Sequence, residues 1–250
     1  MLLRKLAATA VGLVLGTGLL LQTGTVLAAK GEAYYTTQKI SDHKKGEFSV
    51  LADDDVNFRS GPSTLTDVLA CLPRHSLFRI VGGKDGEWQK VDWNGKTGYI
   101  FADYLDKSQA EELIEEDNAL GDWQLGQRFD AAAAQSLGKV KKESKEGSKQ
   151  VYDFQQLQVK VKRGTKRIVE LTTASPVIYT MRGIGTGDDG ARVVGQYGLP
   201  SRVVYFKDAK DGDVMMYGYD FDKSSKVGQT LDFYINSTGD VSKIVLSNDD

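Results

Sequence analysis

The dipeptide Asn94-Gly95 constrains the fold of this chain more than any other feature. Both central residues of a two-residue hairpin turn need positive φ, and Asn and Gly tolerate it best. On one side stands Trp88-Gln89-Lys90-Val91-Asp92-Trp93, read as a strand with a period of two, and on the other Thr97 to Phe101 returns. Leu77-Phe78-Arg79-Ile80-Val81 is a further strand, separated from the hairpin by the turn Gly82-Gly83-Lys84-Asp85-Gly86. From about Glu47 to Asp106, short β runs alternate with turn signals, which predicts a small antiparallel barrel or sandwich.

Composition narrows the function classes. With 250 residues, 40% apolar and 26% charged, the chain has material for a core and does not read as disordered, collagen-like or coiled-coil. Its 32 basic side chains do not exceed its 34 acidic ones, so generic binding to a nucleic-acid backbone is not expected. A single cysteine excludes an internal disulfide framework, and one cysteine with two histidines leaves almost nothing for zinc. No cofactor is expected.

Residues 1–28 read as a signal peptide: Arg4 and Lys5, an uncharged run from Leu6 to Leu21, and a polar end closing on Val26-Leu27-Ala28. The run falls short of the roughly 20 residues of a spanning helix. Cleavage after Ala28 is expected, giving a secreted or cell-envelope protein, in the periplasm or the cell wall, with no membrane span. Residues 29–45 read as a polar linker, 46–106 as the first β domain, and 107–121 as a connector. Ser108 with Glu111 forms a capping box for a connector helix over Ser108 to Glu116, too poor in apolar residues to weld the domains on either side.

Residues 122–250 read as an internal repeat. The first copy has a helix, Asp130 to Leu137, stopped by Gly138, then β runs Val151 to Phe154, Leu157 to Lys162 and Arg167 to Thr172. The second has a helix, Asp189 to Tyr197, stopped by Gly198, then Val214 to Phe221, Leu231 to Ile235 and Val241 to Leu246. The expected fold class is therefore an all-β barrel followed by an α+β domain of two helix-plus-three-strand repeats packed on a shared sheet.

The run Val56-Asn57-Phe58-Arg59-Ser60-Gly61-Pro62-Ser63 resembles the opening of a bacterial SH3-like domain. The resemblance continues through Val68 to Leu72, Gly86-Glu87-Trp88-Gln89-Lys90-Val91, Asn94-Gly95-Lys96-Thr97-Gly98-Tyr99-Ile100 and Tyr104-Leu105. Arg74-His75-Ser76 departs from the family's usual Lys-Gly turn. The resemblance implies an SH3-like barrel that targets cell-wall peptidoglycan. The C-terminal part resembles envelope domains of the BamE-like and β-lactamase-inhibitor-like type. That resemblance is carried by Gly187, Val193-Val194 and Tyr197-Gly198-Leu199-Pro200, with a fainter counterpart in Gly126, Ala133-Ala134 and Leu137-Gly138. Such domains bind proteins or assemble envelope complexes, which implies an envelope protein as a second partner. It also leaves a second reading open, an assembly factor or protein inhibitor acting through these repeats.

Four residues are candidates for ligand binding. Trp88, Tyr99 and Tyr104 offer aromatic faces for sugar or peptide surface, and Arg59 offers a guanidinium for the carboxylate of a stem peptide. Trp88 and Tyr99 serve a core equally well. No catalytic residue is assigned, since no nucleophile–base–acid set is visible. Cys71, within Val68-Leu69-Ala70-Cys71-Leu72, reads as a small core residue, and His43 and His75 as surface histidines. Gly185-Thr186-Gly187-Asp188-Asp189-Gly190 matches G-x-G-x-x-G, but its two aspartates would face a pyrophosphate, so helix capping fits better. Asp208, Asp211 and Asp213 lack the closing Glu of a twelve-residue calcium loop. Lys160, Lys162, Arg163, Lys166 and Arg167 gather on one hairpin, as the outer face of an edge or as a site for an anionic polymer.

Overall fold

The computed structural model describes residues 35–39, 48–106, 117–132, 134–206, 213–221 and 228–249. The expected signal peptide at 1–28, the connector helix over 108–116, His43, Asp208 and Asp211 lie outside these residues.

Seven strands form one antiparallel sheet over the first unit. They are β2 (Phe48–Leu51), β3 (Val56–Arg59), β4 (Val68–Leu72), β5 (Leu77–Asp85), β6 (Trp88–Trp93), β7 (Lys96–Phe101) and β8 (Leu105–Asp106), in the order β4-β3-β7-β6-β5-β2-β8. The Asn94-Gly95 turn has φ of 49° and 79°, and pairs Trp93 with Lys96 through to Trp88 with Phe101. Alternation sends Leu51, Val56, Phe58, Leu72, Phe78, Val91 and Ile100 into one closed core. Cys71 is not in it: Leu72 and the half-buried Ala70 take the inner side of β4, and the period of two turns Cys71 outward, where it is exposed. This corrects the expectation of a core cysteine.

The second unit corrects the expected fold class. It is almost all β, with a single α-helix among the described residues, and it is not two helix-plus-three-strand repeats. A nine-stranded antiparallel sheet runs β1-β15-β16-β17-β18-β14-β13-β12-β11. Its members are β1 (Tyr35–Lys39), β11 (Lys142–Glu146), β12 (Lys149–Asp153), β13 (Gln158–Lys162), β14 (Arg167–Thr173), β15 (Arg202–Phe206), β16 (Asp213–Asp220), β17 (Gly228–Asn236) and β18 (Val241–Asp249). A small two-stranded ladder, β9 (Ala119–Leu120) with β10 (Trp123–Gln124), stands beside it. The helix, α1, spans Gly190–Tyr197. β11 to β14 and β15 to β18 are two four-stranded meanders joined where β14 pairs with β18.

The expected first helix fails for lack of apolar area. From Asp130 the chain makes a local turn closed by the Asp130 carboxylate on Ala132 N–H, then a single 3-10 turn, Gln135–Leu137. A short segment with only alanines and one leucine to bury has little to offset the cost of helix nucleation. The equivalent stretch in α1 buries Ala191, Val193, Val194 and Tyr197, and the Tyr197 ring lies 5.4 Å from Tyr219 and 5.3 Å from Phe233.

Two contacts tie the units together. The expected linker at 29–45 contains β1, all five residues of which pair with β15. The first sheet is thus flanked on both sides in sequence by strands of the second. In addition, Phe48, Val50 and Leu77, on the face of β2 and β5 opposite the first core, are buried in the core of the second unit. Around this seam Arg79 lies over the Tyr205 ring at 5.0 Å, and a methyl group on Gly195 of α1 would come within 2.6 Å of His75 Nδ1. His75, expected at the surface, is half-buried there in a left-handed conformation, φ 69°.

Candidate functional site

A groove of about 740 Å³ opens on the first unit. Its floor is an aromatic ladder. Trp88 and Phe101 are cross-strand partners on β6 and β7, and their rings meet edge to face at 5.7 Å. Phe101 in turn packs 5.6 Å from Tyr104, which follows β7 in a 3-10 turn and is 39% exposed. Ala102 N–H donates to Glu87 O, and Ala52 N–H donates to Tyr104 O, so the backbone fixes both ends of the ladder.

One wall is the loop from Ser60 to Asp67. Arg59, the last residue of β3, holds it from beneath: Nη1 donates to the carbonyls of Thr64 at 2.9 Å and Thr66 at 2.8 Å. Thr66 Oγ1 donates to Gly61 O and Ser63 O, and Ser60 N–H donates to Asp67 O. Pro62, Ser63 and Thr64 thereby face the groove as a fixed surface. The rim is acidic, with Asp53, Asp54 and Asp55 before β3 and Glu87 before β6 among the lining residues, all exposed.

Of the four residues picked from sequence, Arg59, Trp88 and Tyr104 line this groove together. Tyr99 does not: it is half-buried on β7, paired with Arg59 in the sheet. Phe101 and the acidic rim were not singled out, although Phe101 sits across the strand pair from Trp88 and so shares its face. The other motifs resolve into structure. Asp189 is the N-cap of α1, its carboxylate accepting from Ala191 N–H at 2.7 Å, and the Asp188 carboxylate accepts from Gly185 N–H. Burial holds the Asp189 carboxyl above its usual range; the Ala191 bond opposes this and the nearby Asp240 adds to it. Lys160 of the basic hairpin bridges Glu146 at 3.0 Å and Glu170 at 3.2 Å. Asp213 opens β16. Among the described residues no group of three or more His, Cys, Asp or Glu is placed to hold a metal ion, and no helix is long and apolar enough to cross a membrane.

Residues 54–106 match the family model described as bacterial SH3 domain. A search of the curated proteins finds no match. Among solved structures the chain is similar to one titled "Crystal structure of the C-terminal domain of TagH", over 85% of this chain and 99% of that one. The identity is 11% and the TM-score 0.22, a level at which the likeness fixes neither fold nor role. The BamE-like resemblance has no counterpart in these comparisons.

Proposed function

We propose, from the bacterial SH3 domain at residues 54–106, that this is a non-enzymatic cell-envelope protein whose first unit binds cell-wall peptidoglycan. The observation that carries the reading is the groove: a continuous Trp88–Phe101–Tyr104 surface beside a fixed loop, of a size suited to a short peptide or sugar segment. Aromatic faces gain by burying ring or peptide surface, and a fixed wall lowers the ordering cost of binding. The test is co-sedimentation of the purified chain with peptidoglycan sacculi. Trp88→Ala with Tyr104→Ala, in a protein whose circular dichroism is unchanged, is expected to weaken binding about ten-fold or more. Equal binding by the double variant refutes the groove, and no binding by the native chain refutes the function.

A second reading, an assembly or inhibitory role through the second unit, is favoured by one observation. The loop between β14 and α1 presents Val177, Tyr179 and Met181 outward, at 56%, 48% and 56% exposure. Side chains of this kind, close together on a loop, suit a protein partner.

A further inference from the structure

We propose that the groove selects ligands bearing a primary ammonium group, so that its occupant is an amine-bearing peptide segment of the wall. The inference rests on the peptidoglycan reading and gives it a chemical class. From sequence, Arg59 is the expected anchor, and it would choose a carboxylate. In the structure one nitrogen of that guanidinium is taken up by its own loop, where Nη1 serves two carbonyls, those of Thr64 and Thr66. Arg59 shares the groove with the four carboxylates of the acidic rim. Asp54 accepts a hydrogen bond from Arg74 N–H, while Asp53, Asp55 and Glu87 have no side-chain hydrogen bond or ion pair among the described residues. Four carboxylates against one guanidinium leave the groove negative, so a ligand carboxylate or phosphate meets repulsion there.

The aromatic ladder sharpens the choice. An ammonium group over an indole or phenol face is attracted by the ring quadrupole, and carboxylates within a few ångströms add to that attraction. A bare metal ion fits less well, because the carboxylates are spread along the rim and do not converge as a ligand set. The geometry therefore favours a cation carried on an organic chain, whose peptide surface covers Trp88 and Tyr104 while its ammonium meets the rim.

The experiment uses the purified full chain and two preparations of the same peptidoglycan sacculi, one untreated and one with its free amines N-acetylated. Binding to acetylated sacculi is expected to be weaker by about five-fold or more. The triple variant Asp53→Asn, Asp55→Asn, Glu87→Gln keeps shape while removing charge, and Asn is at ease at the φ of 56° found at Asp55. It is expected to bind both preparations alike, and as weakly as the native chain binds acetylated sacculi. If the native chain binds acetylated sacculi as tightly as untreated ones, or tighter, the amine inference is overturned while the peptidoglycan reading stands. If it binds neither, the peptidoglycan reading itself falls. Should the triple variant not fold, the acetylation comparison on the native chain decides alone.

Discussion

Arg59 has a structural task in the fold that its place in the sequence does not announce. Its place beside Ser60-Gly61-Pro62-Ser63 marks the groove, but only the fold reveals that its guanidinium closes the loop. Arg59→Ala is expected to cost about 1–2 kcal/mol for two lost hydrogen bonds. It should also speed amide exchange across Ser60–Asp67, read by hydrogen–deuterium exchange; unchanged protection there would mean the loop stands without it. Gly98 is fixed by space. A methyl group there would lie 2.5 Å from the Phe58 ring and 2.6 Å from Arg59 O, and the backbone oxygen cannot move aside cheaply. Gly98→Ala is therefore expected to destabilise the first unit by about 1–3 kcal/mol in urea titration, with Phe58 displaced from its core.

At the scale of elements, what was legible depended on whether the local signal and the tertiary demand agreed. The β6–β7 hairpin was plain because alternation, an Asn-Gly turn and burial all point the same way. α1 was plain because Asp189 caps it and its apolar residues share a face. β11, Lys142–Glu146, is an exposed edge strand made wholly of charged residues and serine, so nothing in it marks a strand. β1 was hidden likewise: Tyr35–Lys39 is short and polar, and its strand character comes from its partner β15. Asp189 yields a test with a definite sign. A carboxyl whose folded pKa is raised favours folding below its unfolded pKa, and that contribution is lost as pH rises through the folded value. Asp189→Asn keeps a capping oxygen without the charge, so it should flatten the acid-side pH dependence of stability and cost little at neutral pH. Asp189→Ala should cost about 1 kcal/mol at either pH. Chemical denaturation at several pH values separates the two, and an Asn variant as pH-dependent as the native protein would remove Asp189 as the source.

The whole molecule is joined in a way that no local pattern announces. A bacterial SH3 domain, with a domain boundary at each end, reads as an independent module, and the charged connector at 107–121 supports that reading. Yet alternation along β2 and β5 gives two apolar faces. Leu51 and Phe78 fill the barrel side, while Phe48, Val50 and Leu77 lie in the core of the second unit. Sequence periodicity shows that both faces are apolar and is silent on what covers the second, because its partners come from far along the chain. Burying three such side chains contributes on the order of 5 kcal/mol, comparable to the entire stability of a small domain. The strand β1 adds a second tie, since a fragment starting at residue 122 lacks it and leaves β15 as a bare edge. The intact chain is therefore expected to unfold in one cooperative step, followed in parallel by tryptophan fluorescence and by far-ultraviolet circular dichroism. A 46–106 fragment should melt well below it, and Thr37→Pro, which removes a backbone donor in the middle of β1, should lower the midpoint of the whole molecule. Two separate transitions in the intact chain, each matching its isolated fragment, would show instead that the shared core contributes nothing to stability.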